Sequence, residues 1–246
     1  MCRMLLALGN FDFNLLLDGA ILMAMDQNLI HEKNAKKGLG SWQHDSGWGI
    51  AYLDPNGSLI TQKSSKSILT DESTFQLRYL KTPWALIHVR KATSGNVSLE
   101  NAHPFHNRNS QEEYVFCHNG TVRDKIFFSS KFITKGNTDT EQIFYSILTD
   151  LQTINSLPEA IAFNLRKYQD YTGINFIFSN GKRSFVGCKQ NSSPLYYGIK
   201  YIKTDQFVLL SSEQLPMFQN YTWRSLNPEE MFEIDTKTKE IIIHKL

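Results

Sequence analysis

A cysteine stands directly behind the initiator methionine, in the opening MCRMLLALGNF. Chain ends are usually mobile and polar, and an exposed thiol invites oxidation, so the position asks for a reason. One reason is structural: Cys2 can begin an apolar first strand as a small hydrophobe. The other is chemical. Aminopeptidases remove the first methionine when the next side chain is small, and Cys2 would then carry a thiol and a free α-amine on one residue. A terminal amine titrates at about 7.7–8.0 and a thiol at about 8.5, so the amine can take the thiol proton near neutral pH.

Four more polar stretches sit where apolar strands run out. HVRKATSG (88–95) presents Arg90 and Thr93. An arginine there can grip a carboxylate with two parallel hydrogen bonds, or make an ordinary surface ion pair. NAHPFH (101–106) holds His103 and His106 beside a proline. With Cys2, Cys117 and His118 they could ligate a metal, but no C-x-x-C or H-x-x-x-H spacing supports that. No metal or cofactor is expected, and a loop-ordering role suits His103 better.

FCHNGTV (116–122) reads as a hairpin turn at Asn119-Gly120, or as a donor pair. An asparagine NH2 and the backbone N–H of a following glycine can converge on one oxyanion. GNTDTEQIF (136–144) is a capping box, with Thr138 as N-cap and Glu141 three residues on. Asp139 then falls in the first helical turn, where the helix dipole favours a carboxylate; the same carboxylate could hold a ligand ammonium. Arginine plus aspartate suits the α-carboxylate and α-amine of an amino acid. A thiol plus an oxyanion hole suits attack on its side-chain amide.

The elements that must position these groups follow from periodicity. Residues 12–25 carry Phe13, Leu16, Leu17, Ala20, Ile21 and Ala24 at helical spacing. The polar stretch 27–46 reads as a surface loop able to cover a pocket. GWGIAYLD and SLITQKS form a hairpin about Asn56-Gly57, and INFIFSNGKRSFVGCK another about Asn180-Gly181. WALIHVRKA and EYVFCHNG add strands. Ile143, Phe144, Ile147, Leu148 and Leu151 share one helical face, and 157–168 continues as a second helix. LYYGIK, FVLLSS, EMFEID and EIIIHK read as closing strands. Strands, two helices and strands again argue for antiparallel sheets covered by helices, in an α+β chain.

Composition narrows the function classes. The 246 residues make one domain, 1–246, with 41% apolar and 20% charged side chains. A net charge of +2 supplies no basic stripe for nucleic acid. The runs MLLAL and GAILMAM fall short of the roughly 18–20 residues of a membrane span. Three widely spaced cysteines make a poor disulfide framework and point to a reducing, cytoplasmic setting. The N-x-S/T matches at Asn96, Asn119, Asn191 and Asn220 are then chance.

Taken together, MCR, GWGIAY (47–52), HVRKAT (88–93), NAHPF (101–105), HNG (118–120) and TDTE (138–141) resemble, in that order, the class II glutamine amidotransferases. These belong to the N-terminal-nucleophile hydrolases, and the compact length with LSSEQL (210–215) looks most like their stand-alone branch. The resemblance implies a four-layer αββα sandwich of two antiparallel sheets flanked by helices. It implies Cys2 as nucleophile after Met1 removal, Asn119 and Gly120 as oxyanion hole, and no metal requirement. Arg90 and Thr93 would bind the substrate carboxylate, Asp139 its amine, and His103 would support them.

Two departures border the implied pocket. Lys91 and Ser94 stand where many members have an aromatic residue and a histidine, so the resemblance carries the reaction type further than it carries glutamine, and the amide substrate is expected to be glutamine or another γ-glutamyl compound. Ammonia would pass to a separate synthase subunit or simply be released. Two other readings remain: a catalytically silent module of the same fold that binds a partner or a small amide, and an N-terminal cysteine hydrolase of penicillin-like or bile-acid amides. Arg90 and Asp139 favour an amino-acid substrate over the latter.

Overall fold

A computed structural model describes residues 1–108 and 112–246. Strand β1 (Cys2–Gly9) leads to α1 (Phe13–Met25), which starts at Asp12, whose carboxylate accepts from the Asn14 N–H at 2.8 Å. The hairpin β2 (Trp48–Leu53) and β3 (Leu59–Ser64) follows, in register from Trp48–Ser64 to Leu53–Leu59. Then come a single turn, α2 (Thr74–Leu77), and strands β4 (Trp84–Arg90), β5 (Phe105–Arg108) and β6 (Glu113–Val122). Helices α3 (Asp139–Asp150) and α4 (Leu157–Arg166) precede the hairpin β7 (Tyr171–Ser179) and β8 (Arg183–Cys188). The chain ends through α5 (Pro194–Tyr197), β9 (Lys200–Lys203), β10 (Phe207–Ser211), β11 (Arg224–Ser225), β12 (Glu230–Asp235) and β13 (Ile241–Lys245).

Two antiparallel sheets result. One runs β11-β9-β10-β1-β4-β2-β3 and the other β13-β12-β8-β7-β6-β5. Side chains alternate between the faces of a strand, and three apolar layers show where each face goes. Leu5 and Ala7 of β1, with Ile87 and Val89 of β4, pack on Leu16, Leu17, Ala20 and Met23 of α1. Met4, Leu6, Leu8 and Leu86 point the other way, onto Val115, Cys117, Ile177 and Val186 of the second sheet. Behind that sheet, Phe116, Phe176 and Phe178 meet Ile143, Phe144 and Ile147 of α3 and Ile161 and Leu165 of α4. The order is helix, sheet, sheet, helices: the expected αββα sandwich. Each fully buried side chain of this size contributes about 1.5–3 kcal/mol, so three such layers leave the strand ends rigidly placed.

Some local expectations are corrected. Asn119-Gly120 is no hairpin turn: β6 continues through it to Val122, with a register shift between Gly120 and Val122. LYYGIK is not one strand. Pro194 presets the backbone for a helical turn, so α5 buries Tyr196 and Tyr197 before Gly198 releases the chain into β9. Glu141 does fold back before α3, but it accepts from the N–H groups of Lys135 and Gly136 at 2.9 and 2.8 Å. The 27–46 segment forms turns without a regular element, as expected. Its inner side is anchored, with His31, Asn34 and His44 buried. No helix among the described residues is long and apolar enough to cross a membrane.

Candidate active site

The period-2 alternation that fills the space between the sheets with leucine fills one end of it with chemistry. Cys2 lies opposite Arg90 in the β1–β4 register, and Met4 opposite His88. Cys2, His88 and Arg90 therefore share the face whose other members are Leu6 and Leu86. From the second sheet, Asn119 takes the same inward parity as Val115 and Cys117 and meets them. The Cys2 N–H donates to Asn119 Oδ1 at 2.8 Å, joining the two sheets at their shared end.

That bond fixes the Asn119 side chain and leaves its Nδ2 buried with no hydrogen-bond partner among the described residues. A buried amide donor without a partner is costly, and this one sits beside a thiol. Gly120 borders the same small cavity. Its φ is +150°, and a Cβ there would fall on the backbone carbonyl of Gly173 in β7. Only glycine permits that approach of the two strands.

Arg90 is buried, and its Nη1 and Nη2 donate to the carbonyls of Asn96 and Ser94 at 3.0 and 2.9 Å. The same nitrogens also reach the carbonyls of Ser46 and Gly95 at 3.5 Å, so the guanidinium shapes the 94–96 loop. Burial lowers its pKa, opposed by the negative charges of Cys2 and Asp139. Asp139 opens α3 behind the N-cap Thr138, as expected. Its Oδ2 accepts from the Val122 N–H at 2.8 Å and its Oδ1 from the Thr140 N–H at 3.0 Å, so it ties the helix start to the end of β6. Both side chains line the cavity with Thr93 and His103.

Met1 is retained here and takes part of the space. Its α-amine donates to the Lys91 carbonyl at 2.6 Å and to Thr93 Oγ1 at 3.0 Å. Its sulfur accepts from the Tyr197 hydroxyl at 3.1 Å. Burial pulls the amine pKa down, with Cys2 and Asp139 acting against it. The cavity left beside Met1 and Cys2 measures about 20 Å³, room for roughly one water. Larger clefts lie elsewhere, such as one of about 410 Å³ beside Phe163, Arg166 and His244. None of their lining residues offers a thiol, so size does not locate the chemistry.

The histidines divide sharply. His106 pairs with Glu113 at 2.8 Å on the surface and stands apart from the site. His118 shares a hydrogen bond with Thr140 Oγ1 at 3.1 Å and another with the Gly173 carbonyl at 3.2 Å. The carbonyl can only accept, so Nε2 carries the proton and Nδ1 accepts from the threonine. His103 and His88 stack at 4.1 Å with planes tilted by 47°. Both are buried, and all four of their ring nitrogens lack hydrogen-bond partners among the described residues. Burial holds both pKa values well below the ordinary histidine value, reinforced by the nearby cationic groups.

Sequence reasoning missed His88, although alternation from Arg90 along HVR puts it on the same face. It also missed Tyr196 and Tyr197, hidden by the strand reading of LYYGIK. The Tyr196 hydroxyl bonds His44 Nε2 at 2.9 Å and donates to the Cys2 carbonyl at 3.3 Å. Its ring lies under the Arg3 guanidinium, 4.2 Å away. These contacts brace the Cys2 backbone at its carbonyl, as Asn119 does at its N–H.

Comparison with known proteins adds an independent line. Residues 21–204 match the model of the family described as "Glutamine amidotransferases class-II". The matched stretch begins after Cys2, so the cysteine's role rests on its surroundings. A putative glutamine amidotransferase of Haemophilus influenzae is 30% identical over 157 residues, 60% of this chain and 53% of that protein. A glutamine–fructose-6-phosphate aminotransferase (isomerizing) of Francisella tularensis is 24% identical, covering 66% of this chain and 27% of the relative. The chain thus spans about half or less of these curated relatives. Glutamine phosphoribosylpyrophosphate amidotransferase of Bacillus subtilis superposes with TM-score 0.70 at 18% identity, over 99% of this chain and 49% of that one. A glutamine aminotransferase class-II domain protein of Silicibacter pomeroyi gives 0.63 at 17% identity, over 100% and 99%. The last two likenesses speak for the fold.

Proposed function

The chain belongs to the class II glutamine amidotransferases, and from that premise we propose that, once Met1 is removed, it hydrolyses the side-chain amide of glutamine or a γ-glutamyl compound through a thioester on Cys2. The observation that carries the reading is the orphaned Asn119 Nδ2, buried beside the thiol and held there by the Cys2–Asn119 bond.

The Cys2 α-amine, freed by processing, takes the thiol proton, directly or through a water. The sulfur adds to the amide carbon, and the C=O electron pair becomes an oxyanion facing Asn119 Nδ2 and the Gly120 N–H. The ammonium form of Cys2 returns the proton to the leaving nitrogen, the C–N bond breaks, and ammonia or an amine departs. Water then adds to the thioester, the C–S bond breaks, and glutamate or its analogue leaves. Arg90 and Thr93 take the substrate α-carboxylate and Asp139 its ammonium. His103 packs behind them. The three cysteines are free, in keeping with a reducing cytoplasm. Ammonia goes to a separate synthase subunit or is released.

Met1 supports a place for processing in this scheme. Its amine holds Thr93 and its residue borders a cavity too small for an amino acid.

The test is to incubate processed protein, its mass verified as lacking Met1, with a panel of γ-glutamyl amides including glutamine, assaying ammonia and glutamate together. Activity is expected on at least one and should fall to background in Cys2→Ala. Near-wild-type turnover by that variant, or turnover by a chain that keeps Met1, would overturn the mechanism.

A further inference from the structure

Two histidines next to the nucleophile do nothing in the scheme above that uses their nitrogens. A neutral imidazole presents one N–H donor and one lone pair, and buried polar groups in folded proteins nearly always have partners. His88 and His103 are buried, stacked on each other and unpartnered at all four nitrogens among the described residues. The backbone carbonyl of His118 acts on the His88 ring but falls outside hydrogen-bonding geometry. One ring nitrogen from each histidine and the Cys2 sulfur all lie within 4.8 Å of one another.

We propose that Cys2 Sγ, His88 and His103 form a binding site for a thiophilic divalent cation of the zinc type, and that occupancy silences the nucleophile reversibly. Zinc takes sulfur at about 2.3 Å and imidazole nitrogen at about 2.0–2.1 Å in a tetrahedron. Ligand atoms in such a tetrahedron stand roughly 3.3–3.6 Å apart, so side-chain rotation that closes about 1 Å completes the triangle. Three protein ligands leave a fourth position for water or for the α-amine that processing frees on the same cysteine, an aminothiol chelate. Burial already keeps both imidazoles neutral, the form that ligates.

On binding, the Cys2 thiol loses its proton to the buffer as the S–metal bond forms, and the lone pair that would attack the amide is taken. No electron changes hands, and a chelator reverses the step. Sequence spacing hid the triangle because its members come from the starts and ends of three different segments. The silencing rests on the proposed amide hydrolysis; the cation site itself does not.

The experiment uses processed, EDTA-stripped protein, titrated with Co²⁺ as a spectroscopic probe and then with Zn²⁺. One equivalent of Co²⁺ should give a thiolate charge-transfer band and the d–d intensity of four-coordinate metal, displaced by Zn²⁺. The band should vanish in Cys2→Ser, and affinity should fall at least ~100-fold in His88→Asn and His103→Asn. One equivalent of Zn²⁺ should also protect Cys2 from iodoacetamide, mapped by peptide mass, with EDTA restoring alkylation. Cys117 and Cys188 do not interfere, since burial raises both thiol pKa values, that of Cys188 to about 12. Absence of a stoichiometric band, or unchanged affinity in both folded histidine variants, overturns the site. If a variant fails to fold, the Co²⁺ form of the wild type decides: without paramagnetically shifted imidazole N–H resonances the proposal fails. Protection of Cys2 in a protein whose metal-free form releases no ammonia from any of the γ-glutamyl amides would instead remove the hydrolase reading and leave the site standing.

Discussion

The molecule buries two clusters of histidine and asparagine, and they are wired in opposite ways. At the head of the 27–46 segment, Asp26, His31 and Asn34 satisfy one another. Asp26 accepts from His31 Nε2 at 2.8 Å, from Asn34 Nδ2 at 3.0 Å and from the Trp42 N–H at 2.9 Å. His31 Nδ1 accepts from the Lys33 N–H at 3.1 Å, and Asn34 Oδ1 from the His31 N–H at 3.0 Å. At the sheet ends, Asn119 spends one half of its amide on the Cys2 backbone, and among the described residues the other half is unpaired, as are His88 and His103 entirely. The first cluster holds a loop to α1. The second leaves donors and acceptors open to a ligand or water, a pattern expected at functional sites.

Paired substitutions put the contrast to its hardest test. Asn119→Ala should lower kcat on the best γ-glutamyl amide by about 10²–10³, while stability falls by only about 1 kcal/mol for the lost Cys2 bond. Asn34→Ala should do the reverse, costing about 1–3 kcal/mol through the bonds lost to Asp26 and to the His31 N–H and leaving turnover per folded molecule unchanged. Denaturant melts and single-substrate kinetics on both proteins decide it. Equal loss of kcat in the two would erase the distinction between a satisfied cluster and a poised one.

Arg90 stands between these extremes, since it both braces the 94–96 loop and faces the cavity. Arg90→Ala should raise KM for glutamine about 10–100-fold, the worth of hydrogen bonds to a charged group. The effect on a primary amide that lacks the α-carboxylate should be much smaller. Equal losses on the two substrates would reduce Arg90 to a loop brace.

How far these roles were legible in the sequence depended on whether they are local. Cys2, Asn119, Gly120 and Asp139 are named by short motifs whose order along the chain mirrors their convergence. The sandwich was legible in the order of strands, helices and strands and in the family resemblance, and the unbroken apolar run from Met4 to Leu8 is what two buried faces require. His88 was within reach of the same alternation. The turn holding Tyr196 and Tyr197 was not: aromatic strand propensity outweighed Pro194, and only packing against His44 and Arg3 settles it. The positions of the unpaired nitrogens are tertiary facts, because a partner's absence depends on everything that packs nearby.

Acid stability separates the clusters least, and it closes the comparison. Burial lowers the pKa of His31 below its ordinary value, with Arg3 adding to the effect and Asp26 opposing it. His44, His88, His103 and His118 are lowered too, each first of all by burial. A histidine kept neutral in the folded state takes up its proton first in the unfolded state, near pH 6.5. Stability is therefore full above about pH 6.5 and declines as pH falls toward the depressed folded values. In EDTA, denaturant melts from pH 7 to 5 should show this decline, with each such histidine contributing at most about 1.4 kcal/mol per pH unit. His31→Gln should be less stable at pH 7 yet lose stability less steeply, by the slope of one proton. A slope that stays the same would mean that Asp26 keeps His31 charged in the folded protein, making the loop cluster an ion pair and not a neutral hydrogen-bond network.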